Sequence, residues 1–139
     1  MIRILGVDVG AVRVGLALSD PLGLTAQPLE VVVRKQKDPG VRIRELVDEH
    51  HVQRVVVGQP YSLSGEESPA TDAVASFVKD LRTRVQCPIE LWDERLTSVQ
   101  AEKAMIEGGA SRKKRRAELD KVAASFILQS YLDAHSGTL

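Results

Sequence analysis

The length, composition and charge of the chain are those of an ordinary globular domain. Its 139 residues are 43% hydrophobic and 27% charged, which is enough apolar material for one buried core, so we expect a single domain over residues 1–139. The 19 basic and 19 acidic residues cancel, and the single cysteine, Cys87, excludes an internal disulfide and a cysteine-rich zinc site. No apolar stretch approaches a membrane span and the N-terminal residues lack the layout of a signal peptide, so we expect a cytoplasmic protein with no membrane partner.

The first third of the chain predicts three consecutive strands and one helix. The strands cover Ile2–Val9, Arg13–Leu18 and Thr25–Arg34, and the first two form a hairpin through Gly10. Asp38-Pro39 is a helix cap followed by proline at the first helical position, which predicts a helix to about His51.

The rest of the chain alternates strands with helices. Val52–Val57 is a short β-branched run typical of a parallel strand that is covered on both faces. Ser68-Pro69 predicts a helix to about Val85, and Ile89–Asp93 is the fifth strand. A capping box at Thr97 starts a helix that ends at Gly108-Gly109, and the last helix runs from about Arg116 to His135.

The last helix has the clearest apolar periodicity of the chain. Its predicted buried stripe contains seven residues at three- and four-residue steps: Leu119, Val122, Ala123, Phe126, Ile127, Ser130 and Tyr131. Asp120 lies on the shoulder of this stripe, so a helix packed on the sheet could carry it to the edge of the sheet. The alternative is an ordinary helix residue beside Arg116 and Lys121.

Three strands followed by alternating helices and strands indicate an α/β domain. If the first strand is parallel to the fourth and fifth, the carboxyl ends of all three share one edge, where open α/β sheets bind their ligands. Asp8 lies near one such end and Asp93-Glu94 lie at another. Structural ion pairs remain an alternative: Asp8 with Arg13, and the acidic pair with Arg95.

Converging carboxylates without a histidine or thiol indicate a site for a hard divalent cation. Mg²⁺ and Mn²⁺ prefer oxygen ligands. Two such ions about 4 Å apart can activate water and stabilise the leaving oxygen in phosphodiester cleavage. Ligation would also explain a charged side chain at Asp8 in an otherwise apolar strand.

A basic run precedes Asp120 and predicts contact with a nucleic-acid backbone. It consists of Arg112, Lys113, Lys114, Arg115 and Arg116, and we expect it in a loop between two helices at the rim of the acidic site. A solvated face with no ligand is the alternative. The aromatic residues are too few for a base-stacking platform, which favours recognition of shape and backbone.

Four motifs in chain order resemble the YqgF/RuvX family of bacterial RNase H-like nucleases. They are "GVDVGAVRVGLALSD", "VVVGQP" with the "SLSGEES" loop, "WDERLTSVQAE" and "ELDKVAASFILQSYLD". Members are described as Holliday junction resolvases and as the pre-16S ribosomal RNA nuclease. The resemblance implies an RNase H-like fold, with a five-stranded mixed sheet in the order 3-2-1-4-5 flanked by helices.

The resemblance also implies the site. It assigns Asp8, Glu94 and Asp120 as catalytic metal ligands, with Asp93 as a further candidate because only one of two successive strand residues faces the metal fully. Arg13 and Arg95 join the basic run as expected nucleic-acid contacts. Ser19 and Asp20 match the opening motif and are expected to position the hairpin or the substrate.

Three functions are open at the level of sequence. The leading one is a two-metal, Mg²⁺- or Mn²⁺-dependent endonuclease that processes the 5′ end of pre-16S ribosomal RNA. The second is a Holliday junction resolvase, which would act on branched DNA as a homodimer because junction cleavage needs two symmetric sites. The third is a non-catalytic RNA-binding or transcription-associated module, for which a bare acidic cluster would serve no purpose.

Overall fold

The computed structural model describes residues 2–60, 69–93 and 112–135, and in the last helix it describes the side chains from residue 121 onward. The predicted helix after Thr97 lies outside these residues. The strands are β1 (Ile4–Val9), β2 (Arg13–Ser19), β3 (Ala26–Val33), β4 (Arg54–Gln59) and β5 (Ile89–Asp93). The helices are α1 (Pro39–His50), α2 (Pro69–Leu81) and α3 (Arg112–Ala134).

The five strands form one mixed sheet in the order β3-β2-β1-β4-β5, which is the order that the resemblance implies. β1, β2 and β3 are antiparallel neighbours, whereas β1–β4 and β4–β5 are parallel pairs. The carboxyl ends of β1, β4 and β5 therefore lie at one edge of the sheet. We refer to it below as the carboxyl edge.

The fourth strand begins two residues later than the sequence predicts. The backbone N–H of Val52 donates to the carbonyl of Val47 and completes the end of α1. Gln53 donates to the carbonyl of Arg3, so the regular pairing with β1 begins only at Arg54.

Each face of the sheet carries its own core. Val7, Val55 and Ile89 belong to the core under α1 and α2. The other face is covered by α3 and buries Ile4 and Val56. Side chains on a strand alternate between the faces, so each core is built from alternate positions of the same strands.

Asp38 caps α1, as the sequence predicts. Its carboxylate accepts a hydrogen bond from the backbone N–H of Gly40 at 2.9 Å and lies 3.2 Å from the guanidinium of Arg84. We expect Asp38→Ala to lower the free energy of unfolding by about 1 kcal/mol, because a helix N–H loses its acceptor. Asp38→Asn keeps the acceptor and loses only an exposed ion pair, so it should be near wild type. Urea unfolding of the three proteins measures both values, and equal losses in the two variants would assign the effect to the ion pair instead.

Candidate active site

Asp8 lies on β1 one residue before the strand ends, at the carboxyl edge. Its side chain is half-buried. Val7 pairs with Val57, so continuing the register brings Asp8 level with Gly58, and Gly58 pairs with Trp92 on β5. Because Gly58 has no side chain, no side chain of β4 stands between Asp8 and β5 at this level, although Gly58 itself is buried.

The two faces of the sheet separate Asp8 from Asp93. Asp8 is four residues after Ile4 on β1, and side chains an even number of residues apart on a strand lie on the same face, so Asp8 lies on the α3 face. Asp93 has the same alternation as Ile89, whose side chain lies in the core under α1 and α2. The neighbouring Trp92 faces α3 and donates from its indole N–H to Ser130 at 3.1 Å.

α3 approaches β1 closely because Gly6 has no side chain where the strand meets Ala124 and Leu128 of the helix. A Cβ atom added at Gly6 would lie 2.8 Å from the Cβ of Leu128 and 3.1 Å from the carbonyl oxygen of Ala124. No larger residue fits between this strand and this helix without displacing one of them. Gly6 therefore sets the distance between α3 and β1, the strand that carries Asp8.

α3 runs antiparallel to β1, so its N-terminal part extends toward the carboxyl edge. Tyr131 accepts a hydrogen bond from Arg54, which is level with Ile4, whereas Ala124 contacts Gly6 further along the strand. Asp8 lies two residues beyond Gly6, or about 7 Å. Residue 120 precedes Ala124 by one helical turn, or about 6 Å, on the same side of the helix. The backbone at position 120 therefore lies at about the same height along β1 as Asp8.

The buried line of α3 differs from the predicted stripe. Its centre is formed by Ala124, Ile127, Leu128 and Tyr131, whereas Val122, Ala123 and Phe126 are half-buried. The three- and four-residue spacing was correct, but the line is rotated by one residue, so that Ala124 and Leu128 lie against Gly6. The backbone at position 120 lies one helical turn before Ala124.

A ring cluster anchors α3 to β4 and β5 on the face of the sheet that the helix covers. Tyr131 contacts Trp92 edge-on at 5.4 Å and stacks on His135 at 4.1 Å, between ring centroids. The phenol accepts a hydrogen bond from Arg54 at 2.6 Å, and burial raises its pKa. His135, just after the end of α3, is half-buried and belongs to this cluster.

The basic run lies in a helix and not in the predicted loop. α3 begins at Arg112, so residues 112–116 form its first turns. Arginine and lysine are good helix formers, which allows the helix to extend through them. Their side chains, and Glu94 and Arg95 altogether, lie outside the described residues, whereas Arg13 begins β2 beside the hairpin turn.

Ser19 and Asp20 have structural roles at the end of the sheet opposite the carboxyl edge. The buried hydroxyl of Ser19 accepts a hydrogen bond from the backbone N–H of Ile4 at 2.8 Å. The carboxylate of Asp20 accepts from Leu24 and Thr25, and the Thr25 hydrogen bond contributes most to lowering its pKa. Both residues stabilise the β2–β3 connection and lie far from Asp8.

Within the residues whose side chains are described, no three histidine, cysteine or acidic side chains are grouped as metal ligands would be. The described part of the predicted ligand set consists of Asp8 and Asp93, which lie on different faces. The assignment of Asp8, Glu94 and Asp120 as ligands stays a prediction, and so does the assignment of Asp93.

Comparison with known proteins decides the family. A family model described as "RuvX: Holliday junction resolvase" matches residues 2–134. The chain belongs to the RuvX family. A RuvX relative from Halothermothrix orenii, named "Putative pre-16S rRNA nuclease", is 43% identical over 132 residues, which are 94% of each protein. A relative of the same name from Listeria monocytogenes serotype 4b is 46% identical over 134 residues, 94% of this chain and 97% of that protein.

Solved structures show the same fold at low sequence identity. Thermus thermophilus RuvC in complex with a Holliday junction substrate superposes with a TM-score of 0.59 at 18% identity, covering 99% of this chain and 98% of that one. The fowlpox virus Holliday junction resolvase gives 0.53 at 16% identity, with coverages of 96% and 99%. These likenesses confirm the predicted RNase H-like fold.

Membership of the RuvX family confirms the predicted class of enzyme, an endonuclease that hydrolyses phosphodiester bonds. Among the helices that the structure describes, none is both long and apolar enough to cross a membrane.

Proposed function

We propose that this RuvX protein is a metal-dependent endonuclease that processes the 5′ end of pre-16S ribosomal RNA. The observation that carries the proposal is that two acidic positions lie at the same height along the carboxyl edge of the sheet. Asp8 lies on the face covered by α3, and the contact of Gly6 with Ala124 carries position 120 alongside it. The names of the relatives indicate the substrate.

The residues at this edge suit a hard divalent cation. Asp8 offers carboxylate oxygens at a half-buried position, where a bound cation would offset the cost of desolvating the charge. We propose Glu94 and Asp120 as the other ligands, because the alternation that directs Asp93 to the opposite face favours Glu94. Mg²⁺ or Mn²⁺, two per site, would supply an activated water and stabilise the charge that develops on the leaving oxygen.

The protein contributes position and charge to this chemistry. The backbone of Asp8 pairs with Gly15 on β2, and the pairing of β1 with β4 extends to the preceding Val7, so the main chain that carries the carboxylate is fixed before substrate binds. We propose that Arg13, Arg95 and the run 112–116 contact backbone phosphates around the site. Such contacts locate the scissile bond and carry no base sequence information.

Holliday junction resolution is the second candidate function. It is favoured by the description of the matching family model and by the fold shared with RuvC. This function requires two active sites that face symmetric strands, so it predicts a two-fold homodimer on branched DNA. Cleavage of a ribosomal RNA precursor makes no such demand.

A direct comparison of substrates tests the proposal. The purified protein is incubated with a labelled pre-16S RNA 5′ segment and with a labelled four-way DNA junction, each with Mg²⁺, with Mn²⁺ or with a chelator. We expect cleavage of the RNA at defined positions, dependent on the metal. Symmetric cuts in the junction alone would select the resolvase, and no cleavage of either substrate would contradict both functions.

A further inference from the structure

We propose that Arg34, with Lys35 beside it, binds backbone phosphates of the nucleic acid at the carboxyl edge. This inference rests on the proposed nuclease function and adds a contact on the side of β1 away from α3. Arg34 directly follows β3, and its backbone N–H donates to the carbonyl of Val12 in the hairpin turn.

The guanidinium of Arg34 is held next to the end of the strand that carries Asp8. Its Nε donates to the carbonyl oxygen of Gly10 at 2.9 Å, and Gly10 is two residues beyond Asp8. Its central carbon lies 5.7 Å from the centroid of the Phe77 ring, within reach of a cation–π interaction. A positive charge is therefore fixed at the carboxyl edge while the side chain remains exposed.

Two acidic residues on β3 and α1, Glu30 and Glu45, are paired with cations other than Arg34 and Lys35. Glu30 accepts two hydrogen bonds from Arg42 at 2.8 Å, and Glu45 lies 2.7 Å from Lys37. Within the described parts of the chain, neither Arg34 nor Lys35 has a carboxylate partner.

Arg34 has more donors than its structural contact uses. A guanidinium carries five N–H donors, and the bond to Gly10 takes the one on Nε. The remaining donors are on the two terminal nitrogens, in the fork geometry that matches a phosphate. The backbone carbonyl and the ring orient this fork in advance, which reduces the entropy lost when a phosphate binds.

The test measures binding of the same RNA segment and DNA junction in the presence of Mg²⁺ over a range of KCl concentrations. Every protein carries Asp8→Asn, so that the substrates stay intact. Arg34→Ala is compared with Arg82→Ala, which removes the same charge from an exposed residue after α2. We expect Arg34→Ala to weaken binding about tenfold, as for one charged hydrogen-bonded contact. The slope of log K against log salt should fall by about 0.7–0.9.

A second variant separates charge from the support of the hairpin. Arg34→Gln retains an N–H donor for the Gly10 carbonyl and removes the charge, so its salt slope should match that of Arg34→Ala even if its melting temperature is higher. An unchanged slope in Arg34→Gln, or an equal loss in Arg82→Ala, would overturn the proposal. Cleavage by the wild-type protein distinguishes the two inferences. If the wild-type protein cleaves in a metal-dependent way and the Arg34 variants leave the salt slope unchanged, the nuclease function stands and only this contact is rejected.

Discussion

Asp8→Asn is expected to lower the rate of metal-dependent cleavage by at least ~100-fold, because it removes a carboxylate ligand and keeps the size of the side chain. Loss of a residue that merely supports a ligand already costs about 10–100-fold, so loss of a ligand should cost more. The measurement is single-turnover cleavage of the preferred substrate at saturating Mg²⁺.

Asp93→Asn is the matched control for this prediction. It removes the same charge from the same edge of the sheet, but the side chain follows the alternation of the opposite face. We expect it to lower the rate less than tenfold. Equal losses in the two variants would contradict the assignment of the site to the α3 face.

A readout independent of cleavage accompanies this prediction. Ligands that bind only the folded state raise its stability, so Mg²⁺ should raise the melting temperature of the wild-type protein. The shift should be reduced in Asp8→Asn and retained in Asp93→Asn. Full cleavage and a full Mg²⁺ shift in Asp8→Asn would exclude Asp8 as a ligand and favour a non-catalytic binding module.

Gly6→Ala is expected to affect stability and activity together. The added methyl group would lie 2.8 Å from the Cβ of Leu128, so α3 must move away from β1. Overpacking of this kind costs about 1–3 kcal/mol of unfolding free energy. A displacement of about 1 Å at position 120 can also lower the rate about 100-fold. Urea unfolding and cleavage by the folded protein measure the two effects.

Gly23→Ala is the control for Gly6→Ala. Gly23 adopts a φ of 71°, but an added Cβ would have no neighbour nearer than 3.8 Å. We expect a cost of about 1 kcal/mol from backbone strain alone. Because Gly23 lies in the β2–β3 connection, far from Asp8, the cleavage rate should be unchanged. If Gly6→Ala also retained the wild-type rate, the spacing of α3 would not position the site.

The local signals in the sequence determined most of the elements of this protein. Proline and an aspartate cap started α1 where predicted, and the β-branched run Val52–Val57 indicated β4, which begins two residues later at Arg54. The pattern of one charge in an apolar strand made Asp8 a candidate ligand, because an ionised group there needs a stabilising partner. Four motifs in order carried the resemblance to the family, and the matching family model confirmed it.

The tertiary structure decided how these elements meet. The helical period could not choose between Ala123 and Ala124 as the inward residue, since the two differ by one step around the helix; contact with Gly6 made the choice. Sequence spacing also could not show that Arg34 reaches back to Gly10 across 24 residues. Such contacts depend on the pairing of β2 with β3 and of β1 with β2. The sequence alone thus determined which residues could carry chemistry. Which of them share a face was decided by the packing of α3 against Gly6 and by the register of the sheet. Packing and register both depend on distances between segments that are remote along the chain.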